Sequence, residues 1–521
     1  LLKRTTTTGN AQILCYLTNT GTISVESGTL SLTALPKTFD GGIYNVATTS
    51  EFILGILINV SNTLTGLLNG PMTWANNISV PTTAAFNFTG TTGVNWPSGS
   101  LLGGGTLTNQ STINLTTAGS RYISGTITTL ANSGLIKAAN GGYLYLYNDA
   151  SINNLATGVI DFQSDCILSY SGGGNFSIIN DGLIKKSAGI GSTTIYPPVT
   201  NSGTIDASSG TILFVDGKNF INTNTGIIKG TATIDLPTDA NFTNNGTFSP
   251  GNSPGILTVL GKYKSTATSK LKIELNGLTQ GTDYDLLAIT GNDAIFSGNV
   301  DVTMGFDGAV GNQFTIATTS GTIATANLTS PITNVDYNGF RYTFDVSYPA
   351  NKAVMLTTTN KLDIMPPNVI TKNITVQLNA SGNATITPMQ VENGSTDNHS
   401  LVANLTYSLD KSSFTCANLG ANTVMLKVTD EAGNFASAPA IVTVEDMISP
   451  TITCPSDFTI STSGSYTLPN YFANNTVTDA DNCSVTSETQ TPSAGTILAH
   501  GNHTISFKIS AISLFRDALM P

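Results

Sequence analysis

Charged residues are scarce in this chain of 521 residues. They make up 10% of the sequence, with 21 lysines and arginines against 32 aspartates and glutamates, which gives a net charge of −11. The basic residues form no cluster, so we do not expect nucleic acid as a partner, because phosphate binding requires clustered lysine or arginine. No apolar run reaches the roughly 20 residues of a membrane span. The remainder, in which threonine, asparagine, serine and glycine are abundant, is typical of an exported β protein.

Histidine, cysteine and tryptophan are also rare. The sequence holds three histidines, five cysteines and two tryptophans. The cysteines form no CxxC pair and are spread along the chain, so we do not expect a zinc site. Their odd number leaves at least one cysteine unpaired. Trp74 and Trp96 allow two interpretations: packing within a β-rich fold, or a platform on which sugars stack.

One short phrase, typified by Asn132-Ser-Gly-Leu-Ile136, recurs from Asn132 to Phe248. Its glycine returns every 20 to 24 residues. The glycines of the phrase are Gly134, Gly158, Gly182, Gly203, Gly226 and Gly246. A fixed period of this size indicates stacked units that bury a face only against their neighbours. Each phrase combines turn residues with a β-branched or aliphatic run, so we predict an all-β fold led by a β-solenoid over residues 1–255.

Two columns of the repeat predict how the coils stack. An isoleucine or phenylalanine stands two residues after each glycine, and we expect this column to point into the core. An asparagine stands two residues before each glycine except at Ala156. These asparagines are Asn132, Asn180, Asn201, Asn224 and Asn244. Stacked at about the 4.8 Å strand spacing, their amides are predicted to bond from coil to coil as a ladder.

A third column, three residues after the glycine, alternates in charge. It reads Lys137, Asp161, Lys185, Asp206 and Lys229. It lies an odd step from the inward column, so we expect it to face outward. Opposite charges on adjacent strands stabilise the pairing by about 0.2–1 kcal/mol each, which makes this column a device for fixing register. The alternative is a charged groove that binds a glycan.

Beyond Phe248 the pattern changes at Ser249-Pro-Gly-Asn-Ser-Pro-Gly-Ile-Leu-Thr-Val-Leu-Gly261. Longer strands follow, among them Leu271–Leu275, and then the stretch Asp283-Tyr-Asp-Leu-Leu-Ala-Ile289. Together these stretches resemble the closing segment of autotransporter-type bacterial adhesin β-helices. The resemblance implies a β-rich cap over 256–359, a structural role for Asp283 and Asp285, and a large secreted surface protein of a Gram-negative bacterium.

Residues 360–446 carry short strands at β-sandwich spacing. Thr371-Lys-Asn-Ile-Thr-Val-Gln-Leu378, Ser395-Thr-Asp-Asn398 and Val428-Thr-Asp430 resemble the immunoglobulin-like repeats of Bacteroidetes surface proteins, which are similar to hyalin (HYR) repeats. That resemblance implies an Ig-like module. The family has a cysteine where this chain has His399, which leaves Cys416 without its expected partner.

Residues 447–521 resemble a hyalin repeat proper, on Ser449-Pro-Thr-Ile-Thr-Cys454 and Asp479-Ala-Asp-Asn-Cys483. The resemblance implies a Cys454–Cys483 disulfide, which suits an oxidising exterior. The residues from Ser513 onward do not continue the strand pattern, so we expect this module to be truncated. The chain also begins at Leu1 without the pattern of an export signal, and we expect the sequence to be a piece of a longer protein.

Candidate sites for chemistry are few. Asp430, Asp479 and Asp481 lie in loops of the two modules where oxygen ligands for calcium could gather. We expect no other cofactor. The solenoid contains no histidine, and its best carboxylate pair, Asp161 and Asp165, is separated by a turn. We therefore predict no catalysis.

The sequence thus predicts an elongated, secreted or cell-surface, adhesin-like protein. Its expected partners are extracellular glycans or host surface ligands, bound by many weak contacts along a rigid face. The alternatives are a polysaccharide lyase or hydrolase on a β-helix scaffold, and a structural stalk.

Overall fold

A computed structural model describes residues 1–5, 8–125, 128–238 and 241–512, together with the backbone of the strand Asp517–Met520. The predicted truncation after Ser513 falls largely outside these residues. The chain folds as two compact units, Leu1–Lys361 and Leu362–Pro521. The longest described helix, Pro388–Val391, has four residues, and no described helix is long and apolar enough to cross a membrane.

The first unit is a β-solenoid, which confirms the fold predicted from the repeat. Its strands follow one another around three parallel sheets, and each strand pairs with the equivalent strand of the next coil. Among the described residues, sheet one holds Leu2–Arg4, Thr22–Val25, Ile43–Val46, Leu64–Leu67, Ala84–Thr89, Thr106–Asn109, Thr129–Asn132, Ser151–Asn154, Ser177–Asn180, Val199–Asn201, Phe220–Asn222 and Phe242–Asn244.

Sheets two and three run beside it over the same coils. Sheet two holds Asn10–Ile13, Thr29–Leu32, Glu51–Leu54, Met72–Trp74, Val94–Asn95, Thr112–Leu115, Leu135–Ala138, Val159–Phe162, Leu183–Lys186, Thr204–Ala207, Ile227–Gly230, Thr247–Pro250, Lys270–Leu275, Ala294–Met304 and Ile323–Leu328. The parallel strands of sheet three are Leu17–Asn19, Lys37–Phe39, Ile58–Val60, Ile78–Ser79, Gly99–Leu102, Ser120–Ser124, Gly142–Tyr147, Cys166–Ser171, Ser192–Ile195, Thr211–Phe214, Thr233–Asp235, Ile256–Leu260, Leu286–Thr290 and Gln313–Thr319.

The recurring phrase forms the turn from sheet one to sheet two, and its glycine is required by close packing between coils. A Cβ atom on Gly203 would lie 2.1 Å from the carbonyl oxygen of Gly182, and one on Gly246 would lie 2.2 Å from that of Gly226. The six phrase glycines, all of them described, do not adopt positive φ. The repeat therefore demands glycine because the backbones of stacked turns touch, and not because the turn is left-handed.

The inward column of the repeat lies in the core, as predicted. Its members are at most 3% exposed: Ile136, Ile160, Ile184, Ile205, Ile228 and Phe248. Consecutive members are paired in register, for example Ile136 with Ile160. The stack buries these side chains against one another along the solenoid, which is the main source of stability in a fold whose coils cannot bury a face alone.

The parallel stacking continues beyond residue 255. Lys270–Leu275 pairs with Thr247–Pro250 and with Ala294–Met304. The end of the unit is antiparallel: Ile332–Tyr337 pairs with Phe340–Ser347, and Ala353–Asp363 pairs with Gln313–Thr319. That last pairing occupies an edge of the final parallel strand of sheet three, which would otherwise offer unpaired backbone groups. A short 3-10 helix, Pro349–Asn351, precedes it.

The second unit consists of short β elements. A four-stranded sheet has the order Ile374–Gln377, Phe435–Glu445, Gly420–Thr429 and Thr406–Leu409. The remaining described strands are Asn383–Thr385 with Ser413–Thr415, Thr451–Thr453 with Thr478–Ala480, Tyr466–Thr467 with Ile497–Leu498, and the set Val485–Thr491, Ser506–Ala511 and Asp517–Met520. Two 3-10 helices lie at Val402–Asn404 and Cys416–Asn418. Separate apolar clusters form around Val424 and around Ile509.

The disulfide implied by the family resemblance is wrong. Cys483 is bonded to Cys416, with their Cα atoms 5.3 Å apart, and Cys454 is free and exposed. The reason is the antiparallel register of Thr451–Thr453, in which Thr453 lies opposite Thr478. Cys454 therefore leaves the strand pair at the end remote from Cys483. The bond joins the two segments that the sequence divides into separate modules.

Candidate functional site

The asparagine ladder runs unbroken through seven coils of the described solenoid. Each side-chain Nδ2 donates to the Oδ1 of the next asparagine at 2.6–2.7 Å. Its members are all fully buried: Asn109, Asn132, Asn154, Asn180, Asn201, Asn222 and Asn244. Most also donate to a carbonyl oxygen of the adjoining turn, as Asn180 does to Gly182 at 3.3 Å. The exception is Asn244, at the end of the ladder, whose Nδ2 is buried without a hydrogen-bond partner among the described residues. The bonds between the other members hold the coils in one register.

Asn224, predicted to belong to this ladder, does not. The turn that precedes Gly226 is two residues longer than in the typical phrase, so Asn222 takes the buried place and Asn224 is exposed on the turn. The same lengthening explains the exception at Ala156, because Asn154 fills the ladder there. The register of the ladder thus follows the strand end rather than a fixed count back from the glycine.

The alternating charges are stacked in register, Lys137 on Asp161, Asp161 on Lys185, and Asp206 on Lys229. Lys185 Nζ lies 3.6 Å from Asp161 Oδ2, and Lys229 Nζ lies 3.5 Å from Asp206 Oδ2. The two aspartates are at most 9% exposed. Each carboxylate therefore has a lysine from the next coil as its partner, which favours the register role over a groove for ligands.

The two tryptophans are core residues. Trp74 and Trp96 are at most 1% exposed, and their rings are stacked on adjacent coils with centroids 4.2 Å apart. Their burial rules out the interpretation of a sugar platform at these positions, since a sugar could not reach either ring.

A different aromatic surface lies on the outer face of sheet three, and the sequence analysis did not single it out. It consists of Tyr122, Tyr143, Tyr145 and Tyr147, which we call the tyrosine face. In the strand Gly142–Tyr147 the tyrosines alternate with the buried Leu144 and Leu146, so the three rings share the outward side. Tyr122 joins them because its strand pairs in register with the next, placing it opposite Tyr145. The alternation was readable from the sequence, but the pairing was not.

The rings of the tyrosine face are closely associated. Tyr145 lies 5.3 Å from Tyr122 and 5.6 Å from Tyr143 between centroids, with interplanar angles of 15° and 10°. Tyr147 approaches Tyr122 edge-on at 5.9 Å. Tyr143 is 40% exposed. Partial desolvation, and then the neighbouring phenols, raise the pKa of Tyr145, so its hydroxyl is protonated at neutral pH.

The surroundings of the tyrosine face are mainly hydroxylated and uncharged. The other outward residues of the paired strands are Ser100, Leu102, Ser120, Ser124, Ile167, Ser169 and Ser171. No outward residue of these strands from Gly99 to Ser171 that the structure describes is a carboxylate, lysine or arginine. The surface therefore combines aromatic rings with hydroxyl groups and offers nothing that selects an ionic ligand.

The carboxylates weighed as a catalytic pair have separate partners. Asp161 pairs with Lys185, whereas Asp165 accepts a bond from the fully buried Lys186 at 2.7 Å.

Asp285 is 1% exposed and accepts N–H bonds from Gly255 and Glu274 at 2.8 and 2.9 Å. Burial raises the pKa of Asp285 to about 6, although the two N–H bonds act in the opposite direction and lower it. Asp283 accepts the backbone N–H of Thr279 at 3.0 Å. Asp283 and Asp285 thus both hold turns of the backbone.

The three calcium candidates have different surroundings. Asp430 lies in a group with Asp363 and Asp397, in which one carboxylate oxygen of each residue lies within 4.8 Å of the others. Asp481 is followed in the chain by Asn482, whose amide donates to Asp446 Oδ1 at 3.0 Å, and Asp481 Oδ2 accepts the N–H of Cys483. Asp479 is paired with Ile452 in a strand and belongs to neither set of described residues. Asp363, Asp397 and Asp446 were not found from the sequence, because they are distant in the chain from the loops they join.

Comparison with known proteins adds no family to this description. No protein-family model matches the sequence, and no curated protein matches it. The fold places the chain in the class of β-solenoid repeat proteins.

Proposed function

We propose that this protein is a non-catalytic, adhesin-like binding protein of the cell surface or the extracellular space, and that its tyrosine face binds uncharged polysaccharide chains. The observation that carries the proposal is the contiguous, outward cluster of Tyr122, Tyr143, Tyr145 and Tyr147 on a rigid sheet. The C–H groups of a sugar ring pack against the electron-rich face of an aromatic ring. The phenol and serine hydroxyls beside the rings would bond to sugar hydroxyls.

The charge pattern supports a neutral ligand. The strands that carry the tyrosine face present no charged outward residue within the described range. On sheet two, Lys185 and Lys229 of the charge column are paired with Asp161 and Asp206, which leaves Lys137 as the one lysine of the column without a described salt bridge. A polyanionic glycan would need unpaired basic groups, so a neutral polymer is the better fit.

The proposed location and lineage rest on composition, the disulfide and the family resemblances. The Cys416–Cys483 bond suits an oxidising compartment outside the cytosol. The resemblances favour a surface protein of a Gram-negative bacterium, of the Bacteroidetes type, in which a β-rich cap closes the solenoid and HYR or Ig-like modules follow as spacers. The four-stranded and two-stranded sheets over residues 374–445 support the Ig-like assignment.

The test measures retention of the purified chain on insoluble and soluble neutral polysaccharides, while new reducing or unsaturated ends are assayed in the same samples. We expect retention without new ends. The double variant Tyr143→Ser/Tyr145→Ser should bind about tenfold more weakly, because aromatic contacts contribute about 0.5–1.5 kcal/mol each and 1.4 kcal/mol is tenfold.

Tyr196→Ser is the matched control, since Tyr196 is 37% exposed and lies outside the tyrosine face. It should bind as the unaltered chain does. Equal retention of the double variant would remove the tyrosine face as the site. New polymer ends would replace the proposal with a polysaccharide lyase or hydrolase, and absence of retention on every polymer would favour a structural stalk.

A further inference from the structure

The strongest site outside the solenoid is the group of Asp363, Asp397 and Asp430 in the second unit. The three carboxylates come from the segment that enters the unit, from a loop, and from the turn after the strand Gly420–Thr429. Asp363 is 4% exposed and Asp430 is 5% exposed. No lysine or arginine is paired with any of them by a described salt bridge. Three negative charges held this closely in a buried place repel one another unless a cation lies between them.

The hydrogen bonds of the group leave oxygens without partners. Asp363 Oδ1 accepts the N–H of Met365 at 3.1 Å and Asp397 Oδ2 accepts that of Ser400 at 2.7 Å. Their other oxygens, Asp363 Oδ2 and Asp397 Oδ1, are buried and have no hydrogen-bond partner among the described residues. A buried carboxylate oxygen without a partner is costly. In Asp363 and Asp397 one oxygen therefore holds the local turn, and the other is available to a ligand. Both oxygens of Asp430 accept hydrogen bonds from Asn434, at 2.7 and 2.8 Å, so Asp430 would bind a cation through its remaining lone pairs.

The same geometry occurs a second time, 83 to 84 residues further along the chain. Asp446 Oδ1 accepts the N–H of Ile448 at 3.1 Å, and Asp481 Oδ2 accepts that of Ser484 at 3.1 Å. The asparagine that follows each loop aspartate also corresponds: Asn482, after Asp481, donates to Asp446 at 3.0 Å.

In the first group Asn398 donates to Asp363 at 3.3 Å. The unpartnered oxygens recur as well, on Asp446 Oδ2 and Asp481 Oδ1, and Asp446 is 1% exposed. Two copies of one arrangement, with the same oxygens unpartnered in each, point to a shared ligand rather than to an accident of one loop.

The copies differ in the third carboxylate. Asp430 follows Lys427-Val-Thr, and the corresponding Lys508-Ile-Ser is followed by Ala511. The buried Val428 and Ile509 mark equivalent positions of the two strands. The first centre thus has three carboxylates, and the second has two with the amide oxygen of Asn482, which is also unpartnered.

We propose that the second unit binds two calcium ions, one among Asp363, Asp397 and Asp430, and a weaker one among Asp446, Asp481 and Asn482. The ligands are all oxygen, which selects hard cations. Calcium takes oxygens at about 2.3–2.6 Å, so its ligands stand up to about 5 Å apart, and it accepts irregular shells completed by water. The spacing within the first centre falls inside that range. Each ion would tie the segment that enters a module to the module's loops.

The experiment titrates calcium chloride into the full chain by isothermal titration calorimetry after removal of metal with EDTA. We expect two sites of unequal affinity. Asp430→Asn should weaken the tighter site by about tenfold or more, since ligand charge sets affinity, and leave the other unchanged. Asp481→Asn should remove the weaker site. Ala511→Asp should tighten the weaker site by supplying its third carboxylate.

Glu431→Gln is the matched control, because it removes the same charge from the neighbouring, exposed residue. It should leave both sites unchanged. Folding is checked by thermal unfolding. In EDTA, the Asp363→Asn variant should be at least as stable as the unaltered chain, because the substitution relieves repulsion between carboxylates. In calcium, the variant should be less stable than the unaltered chain.

Three results would overturn the proposal: no binding heat and no calcium-dependent rise in Tm, binding that Asp430→Asn and Asp481→Asn leave intact, or equal weakening by Glu431→Gln. Failure of Ala511→Asp to tighten the weaker site would overturn the second centre alone. Magnesium chloride titrated in parallel is expected to bind more weakly, and equal affinity would contradict the assignment to calcium.

Discussion

Replacing Asn222 by alanine is expected to lower the free energy of unfolding of the solenoid by about 2–4 kcal/mol, because three buried hydrogen bonds are lost at about 0.5–1.5 kcal/mol each. These bonds join Asn222 to the Nδ2 of Asn201, the Oδ1 of Asn244 and the carbonyl oxygen of Gly226, each of which keeps another hydrogen bond. Urea unfolding followed by circular dichroism measures the change. Stacked coils can unfold in parts, so the midpoints of all resolved transitions are compared.

Asn224→Ala is the control, and it distinguishes the structural register from the one counted back from the glycine. Asn224 is exposed on the turn, and a surface substitution there should change stability by less than about 0.5 kcal/mol. The reverse result, a neutral Asn222→Ala and a costly Asn224→Ala, would show that the ladder runs through Asn224 and that the turn is the shorter one.

Breaking the Cys416–Cys483 bond is expected to cost the second unit about 4 kcal/mol. The bond closes a loop with a sequence separation of 67 residues. In the chain-entropy description, a loop of that length restricts the unfolded state by about this amount. Cys416→Ser should therefore lower the unfolding midpoint of the second unit strongly under non-reducing conditions, and dithiothreitol should have the same effect on the unaltered chain.

The Cys454→Ser variant distinguishes the Cys416–Cys483 disulfide from the Cys454–Cys483 disulfide that the HYR resemblance implies. Cys454 is free and exposed, so its replacement should leave stability unchanged. Mass spectrometry of a non-reduced digest should show the peptide of Cys416 joined to that of Cys483. A peptide joining Cys454 to Cys483, with a costly Cys454→Ser, would instead support the family pattern.

The repeat by itself determined the solenoid. A hydrophobic residue at one place of a 20 to 24 residue period, as at Ile184 and Ile205, has one simple way to be buried, which is to stack on its own copies. The charge alternation of Lys185 and Asp206 follows from the same register, because side chains one step away on a strand face the other side. Both inferences need only local period and alternation, and these are present in the sequence.

The length of individual turns could not be predicted from the period of the repeat. Counting back from the glycine selects Asn224 and Ala156, whereas the buried ladder runs through Asn222 and Asn154. Two extra residues in an exposed turn leave the glycine and the strands in place. The difference becomes visible only when the strand ends are stacked and one amide is seen to bond to the next.

The candidate sites depended on tertiary structure for the same reason. Tyr122 joins the tyrosine face only through the pairing of its strand with that of Tyr145, and Asp363 meets Asp430 although 67 residues separate them. Composition and periodicity predict the secondary structure of each segment and which of its side chains are buried. Which distant segments share a surface, a disulfide or a cluster of carboxylates is decided by strand register and loop packing, and only the folded chain specifies these.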